Sequence, residues 1–287
     1  MEIFGLWMLL LSCLVAGCYP APVPQASLTS VPPTPVPLSE TPTGYPTRLP
    51  SETPTTVSIQ PTAGIASMTP SPSPSATPTA LAPLTFAVLG DYGMHNEAEA
   101  AVASLILGWQ PDLILTTGDN NYPRGSASTL DENIGQYFHT YISPYSGEYG
   151  EGAGTNRFFP SIGNHDWMSK QGQPYLDYFT LPGNERYYDF TWGAVHFFVL
   201  NNESNEPDGV GSRSIQAQWL QERLAASTSP WQVVTMHYPA YSSGLHGSTN
   251  WAQWPYAAWG ADAVLAGHDH TYERLIVDGI PYFVVGL

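Results

Sequence analysis

Seventeen of the 28 prolines fall between Tyr19 and Pro83, and this distribution decides how much of the chain can fold. The stretch has no aromatic run and no periodic apolar pattern, so it buries too little apolar surface to offset the entropy of ordering. Residues 19–83 are therefore predicted to be a solvated linker. Thr-Pro and Ser-Pro units such as Thr69-Pro70-Ser71-Pro72-Ser73-Pro74 favour extended polyproline II, the conformation of a semi-rigid spacer. Residues 84–287 are rich in Trp, Tyr and Phe and long enough for one sizeable core.

Ahead of the linker, Ile3 to Ala16 is an apolar run too short to span a membrane comfortably but of signal-peptide length. Val15-Ala16-Gly17-Cys18 then resembles the lipobox of bacterial lipoproteins, which implies a leader over 1–18 and a lipidated Cys18. Met1-Glu2 departs from that pattern in lacking Lys or Arg. The expectation is an exported protein, anchored to the membrane at the cell surface or secreted, with the linker holding the domain off the membrane or wall. Both cysteines, Cys13 and Cys18, lie in this leader. The folded part therefore has no disulfide framework, no thiolate zinc site and no cysteine nucleophile.

The formal net charge is −16, and Lys170 is the only lysine. Nucleic-acid binding needs rows of Lys and Arg on phosphates, so a nucleic-acid partner is not expected. The same charge opposes any anionic substrate unless local cations attract it, which points to bound metal.

Within the domain, strands are predicted at 84–89, 112–116, 158–162, 187–191, 195–200, 231–236, 263–265, 275–277 and 282–285, with Trp192-Gly193 as a hairpin turn. Helices are predicted at 97–107 and 214–225, the second with Ile215, Trp219 and Leu220 on its apolar side. Short apolar strands alternating with helices indicate an α/β fold whose site lies at the carboxyl ends of its strands.

Five motifs share a strand-then-ligand form. They are Gly90-Asp91-Tyr92-Gly93, Gly118-Asp119-Asn120-Asn121-Tyr122, Gly163-Asn164-His165-Asp166, Met236-His237 and Gly267-His268-Asp269-His270. Each alone is weak: Gly-Asp is common in turns, and a single His after an apolar strand is more often structural. Together they supply carboxylate, amide, phenol and imidazole donors, a set suited to Fe, Zn or Mn.

Their order resembles the calcineurin-like metallophosphoesterases, and the details resemble the purple acid phosphatases, over essentially all of residues 84–287. Most of that superfamily has Asp-x-His in the first motif; here Gly93 stands where the His would be. Gly118-Asp119-Asn120-Asn121-Tyr122 has the Gly-Asp-x-x-Tyr form of the purple acid phosphatases, in which a tyrosinate takes over. The resemblance implies a four-layer α-β-β-α sandwich and a binuclear Fe(III)–M(II) centre. Asp91, Asp119, Tyr122 and His270 would hold Fe(III). Asp119, Asn164, His237 and His268 would hold Fe, Zn or Mn. It further implies hydrolysis of phosphate monoesters by a metal-bound hydroxide, with His246 and His165 contacting phosphate or protonating the leaving oxygen. His246 lies in a segment similar to the small, mammalian-type members.

His95, His139 and His196 match no ligand position, Asp166 reads as a supporting carboxylate, and Arg124 reads as a loop residue near the site mouth. Two other readings compete: a phosphodiesterase or nucleotidase on the same metals, and a non-catalytic stalked surface protein. The chain ends on an apolar run, Tyr282 to Leu287, and relatives are expected to continue beyond it. Substrate identity and oligomeric state are not legible.

Overall fold

The computed structural model describes residues 83–286. The leader, Cys18, the linker up to residue 82 and Leu287 lie outside the described residues.

Two sheets make the scaffold. The first is wholly parallel, β1 (Phe86–Leu89), β2 (Leu113–Thr116) and β3 (Phe158–Pro160), with Ile114 aligned to both Ala87 and Phe158. The second comprises β4 (Tyr188–Trp192), β5 (Val195–Val199), β6 (Trp231–Thr235), β7 (Ala263–Ala266), β8 (Tyr272–Val277) and β9 (Ile280–Val285). Its order is β4-β5-β6-β7-β9-β8; β5, β6, β7 and β9 run parallel and the edge strands antiparallel. All four residues of β2 are buried, as a strand covered on both faces requires.

The sheets pack face to face. Phe86 meets Phe197 edge-on at 5.2 Å, and Phe159 stacks on Phe190. Alternation along the strands splits the core: Phe197, Val199, Val233 and Leu265 face the first sheet, while Phe198, Leu200, Val234, Val264 and Ala266 face away. That outward face is covered by Ala217, Leu220 and Leu224 of a helix, which completes the four-layer α-β-β-α arrangement.

Among the described residues there are seven α-helices: α1 (Glu97–Trp109), α2 (Ala127–Leu130), α3 (Gln136–Phe138), α4 (Asn164–Trp167), α5 (Gln173–Tyr178), α6 (Ile215–Ala226) and α7 (Tyr256–Trp259). Asn96 caps α1 by accepting from the Glu99 amide, and left-handed Gln110 ends it just before Pro111. Ser214 caps α6 through the Ala217 amide.

Two details depart from the sequence reading. Trp192 pairs with Val195, so the hairpin turn is Gly193-Ala194. Ile215 is exposed, and Gln216 takes the buried place, trading two hydrogen bonds with the backbone of Asn201.

Candidate metal centre

Every ligand-type motif lies just beyond the carboxyl end of a parallel strand: Asp91 after β1, Asp119 after β2, Asn164 after β3, His237 after β6 and His268 after β7. Cross-links sew these ends together. The Asp91 amide donates to the Gly118 carbonyl at 3.0 Å, and the Gly267 amide to the His237 carbonyl at 2.9 Å. The His268 amide donates to Asp91 Oδ2 at 2.9 Å.

Asp91, Asp119 and His268 all sit at positive φ, at 56°, 52° and 70°. Such backbone costs on the order of 1–3 kcal/mol per residue and persists only where surrounding contacts enforce it. Here it turns three side chains off their strand ends into one cleft.

Close approach also demands glycine. A Cβ on Gly93 would coincide with the Asn120 carbonyl, so the loop bearing Asp119 and Tyr122 passes where a first-motif histidine would begin. A Cβ on Gly163 would run into the Asp119 carboxylate.

The seven sequence-identified side chains form one continuous series. Asp91 Oδ1 is 3.6 Å from His270 Nε2, which is 3.4 Å from the Tyr122 hydroxyl. That hydroxyl is 3.3 Å from Asp119 Oδ2, itself 3.4 Å from His237 Nε2. His237 Nε2 lies 3.0 Å from Asn164 Oδ1 and 3.2 Å from His268 Nδ1. One ligand atom from each of Asp119, His237 and His268 falls within 4.8 Å of the others.

The chemistry of this set fits cations. His237 is fully buried and donates its Nδ1–H to the Thr117 carbonyl at 2.8 Å, which aims Nε2 at the cluster, where a cation would take the place of its proton. Around Nε2 stand Asp119 Oδ2, Asn164 Oδ1 and His268 Nδ1. Asp91 Oδ1 is buried with no hydrogen-bond partner, a cost that a cation removes.

Burial raises the Asp91 carboxyl despite His237. For Asp119, burial raises and His237 lowers, and His237 wins. Burial likewise opposes the His237 imidazolium, but Asp119 and Asp91 lift it to about 10. Burial and His237 push His268 down to about 4. Burial, then Asp119 and Asp91, holds the Tyr122 phenol well above its ordinary value, so a strong cation is needed to make it a phenolate.

His165 flanks the cleft. Its Nδ1–H donates to the Pro123 carbonyl at 2.7 Å, its ring lies 4.3 Å from that of Tyr122, and Nε2 is 3.9 Å from Asp119 Oδ2. His246 presents its ring 4.4 Å from the His268 ring on the opposite side.

Of the supporting residues, Asp166 was read from the sequence, whereas Asn133 and Asp269 were not. Buried Asp166 accepts from the amides of Gly163 and Asn120 and from the Asn120 side chain, fixing the Asp119 loop against α4. Burial, then Asp119, raises it to about 7. Asn133 bridges the Gly93 carbonyl and Asn121 Oδ1 at 2.6 and 2.7 Å. Asp269, between two ligand-type histidines, accepts from the His246 amide at 2.7 Å, the Gly247 amide at 3.2 Å and the Ser242 hydroxyl at 2.5 Å. The Asp within Gly-His-Asp-His was the available signal for it.

The remaining histidines lie in other settings. His95 faces Glu132, His139 donates to the Gly135 carbonyl, and His196 bridges Asp189 and Ser227. Arg124 is exposed, with only its carbonyl engaged, by Ser169.

Residues 84–272 match the family described as Calcineurin-like phosphoesterase. Purple acid phosphatase 22 of Arabidopsis thaliana is 30% identical over 210 residues, which cover 69% of this chain and 46% of that protein. Tartrate-resistant acid phosphatase type 5 of Homo sapiens is 27% identical over 263 residues, covering 74% of this chain and 75% of that protein. The chain thus spans about half the length of the plant relatives and three quarters of the human one. Among solved structures, "GAP50 the anchor in the inner membrane complex of Plasmodium" superposes with a TM-score of 0.53 at 17% identity, covering 71% of each chain, a likeness of fold.

Proposed function

We propose that this chain, which belongs to the calcineurin-like phosphoesterase family, hydrolyses phosphate monoesters as a metal-dependent acid phosphatase. The observation that carries this reading is the unbroken series of seven donors, no step longer than 3.6 Å, in which Asp119 is shared between two sets. Asp91, Asp119, Tyr122 and His270 would hold one ion, and Asp119, Asn164, His237 and His268 the other. Two such ions neutralise phosphoryl oxygens, acidify water and hold an ester in line for displacement.

The chain's own residues supply the rest. His246, seated beside His268, would give the proton to the departing alkoxide. His165, with Nδ1–H committed to Pro123, keeps Nε2 for a phosphoryl oxygen. Asp166 and Asn133 keep the Asp119–Tyr122 loop from shifting, so the donors need no reorganisation during the reaction. A hard, strongly acidic ion suits a phenol that burial and two aspartates hold protonated, which supports Fe(III) at the Tyr122 set. Fe, Zn or Mn would suit the second set.

Metal analysis beside a phosphate-release assay tests this. The expected result is two ions per chain and faster hydrolysis of an aryl monophosphate than of its diester. A preference for the diester would move the reading to a phosphodiesterase, and a metal-free purified protein would end it.

We infer in addition that the protein is exported and held by a lipid on Cys18, with residues 19–83 as a spacer. Support comes from the small residues leading into Cys18 and the proline-rich run after it. Labelled fatty acid should enter the wild-type chain and not Cys18→Ser. Equal labelling of both would discard the anchor.

A further inference from the structure

Leu245 is 96% exposed, far more than any other large apolar side chain among the described residues. It is not the tip of a loose loop. The Ser243 amide donates to Glu273 at 3.0 Å, and the Gly244 amide to the Ser242 hydroxyl at 2.9 Å. On its other side the His246 and Gly247 amides donate to the two oxygens of Asp269. The backbone is pinned on both flanks, so the leucine side chain, packed against nothing, is held in one place beside whatever enters.

That surface borders the chemistry. Gly244, Leu245, His246, Asp269, His270 and Thr271 line a cleft of about 310 Å³. It thus includes the histidine assigned here to leaving-group protonation and one of the two His-Asp-His donors. A group leaving toward His246 enters this cleft. None of its lining residues is Lys or Arg, and its single carboxylate, Asp269, is buried and already taken up by three donors. The wall can therefore bury an apolar group, and its two histidines, His246 assigned to the leaving oxygen and His270 to a metal set, are committed and leave no partner for a second anion.

The geometry points to Leu245 as the specificity-determining residue of the leaving-group subsite, selecting monoesters of uncharged aryl or branched alkyl alcohols over those bearing a further anion. This rests on the hydrolase reading above and goes beyond it in naming the substrate class.

The test compares phenyl phosphate with its para-carboxymethyl derivative on the metal-loaded protein. Calorimetric binding of phenylphosphonate and methylphosphonate accompanies it. In the wild type, phenyl phosphate should lead in kcat/KM, and phenylphosphonate should bind tighter than methylphosphonate, each by about tenfold, as expected of one well-filled apolar contact. Leu245→Ala should bring both ratios to within about twofold, and Leu245→Met should restore them. Ratios that stay at wild-type values in Leu245→Ala overturn the assignment. If no ester is hydrolysed while the phosphonate preference follows residue 245, the subsite stands and the hydrolase reading falls.

Discussion

Tyr122 and His270 show how a single side chain can be read two ways by its surroundings. Without a cation, burial and two aspartates keep the phenol protonated, and its bonds to Asp119 and His270 are long, at 3.3 and 3.4 Å. Such bonds contribute little, so Tyr122→Phe should change metal-free stability by less than about 1 kcal/mol. With Fe(III) bound, tyrosinate absorbs visible light by charge transfer. The wild type loaded with iron should be pink to purple, and Tyr122→Phe should lose that band while keeping the other donors of its set. A wild type colourless in both redox states with both ions present would remove the iron–tyrosinate assignment. Asp269 acts through others. Asp269→Ala removes the acceptor of the half-buried His246 and Gly247 amides, at about 1 kcal/mol each, while the Ser242 hydroxyl keeps Glu273. It should lower kcat at least tenfold more than it raises KM, because it misplaces His246, and Asp269→Asn should recover part of the loss. Equal kcat for Asp269→Ala and wild type would sever the link between that carboxylate and His246.

At the scale of elements, strands and their terminal ligands were legible because four of the five ligand motifs set a glycine directly before the metal-type residue at the end of an apolar run, Met236-His237 being the exception. The short helices were not. Runs of three to six residues, such as Gln136–Phe138 and Gln173–Tyr178, never complete an apolar period, and α6 hides its buried Gln216 among polar neighbours. Asn133 was illegible for a different reason: its partner is the Gly93 carbonyl, 40 residues away, and no local pattern marks such a bond. The 242–247 segment combines both cases, since it has no regular structure and is held by side chains from elsewhere. Glu273 accepts there from the Ser242 hydroxyl at 2.7 Å, from the Ser243 hydroxyl and from the Ser243 amide. The Ser243 and Ser242 hydroxyls hold its carboxyl below the usual glutamate value. A folded value below the unfolded one means the unfolded chain binds more protons between the two. This stabilisation is therefore complete above the unfolded pKa, about 4.3, and fades as pH falls through the folded value. Glu273→Gln should melt below wild type at pH 6, with the gap narrowing as the pH falls below the unfolded value. A gap that stays constant across that range would mean the carboxylate's charge contributes nothing to the clamp.

For the whole molecule, two fields of opposite sign act on an arriving phosphate ester. Bound ions would attract it within a few ångströms, a distance shorter than the screening length at either salt concentration. Over longer distances the ester meets a chain of formal net charge −16 with eight Lys and Arg in all. Repulsion of that reach is what salt removes, because the Debye length contracts from about 30 Å at 0.01 M to about 8 Å at 0.15 M. The short-range attraction survives almost unchanged. Capture of a dianionic monoester should therefore improve on adding salt, opposite to an enzyme that steers anions with a basic surface. KM for phenyl phosphate is expected to fall severalfold between 0.01 and 0.15 M sodium chloride, with kcat nearly constant, since the ions and His246 act inside the screened-off cleft. Steady-state kinetics in a buffer of fixed pH and a non-coordinating salt check this. A KM that rises with salt would show that the local cations set the field well outside the cleft, and that the acidic surface plays no part in selecting what approaches it.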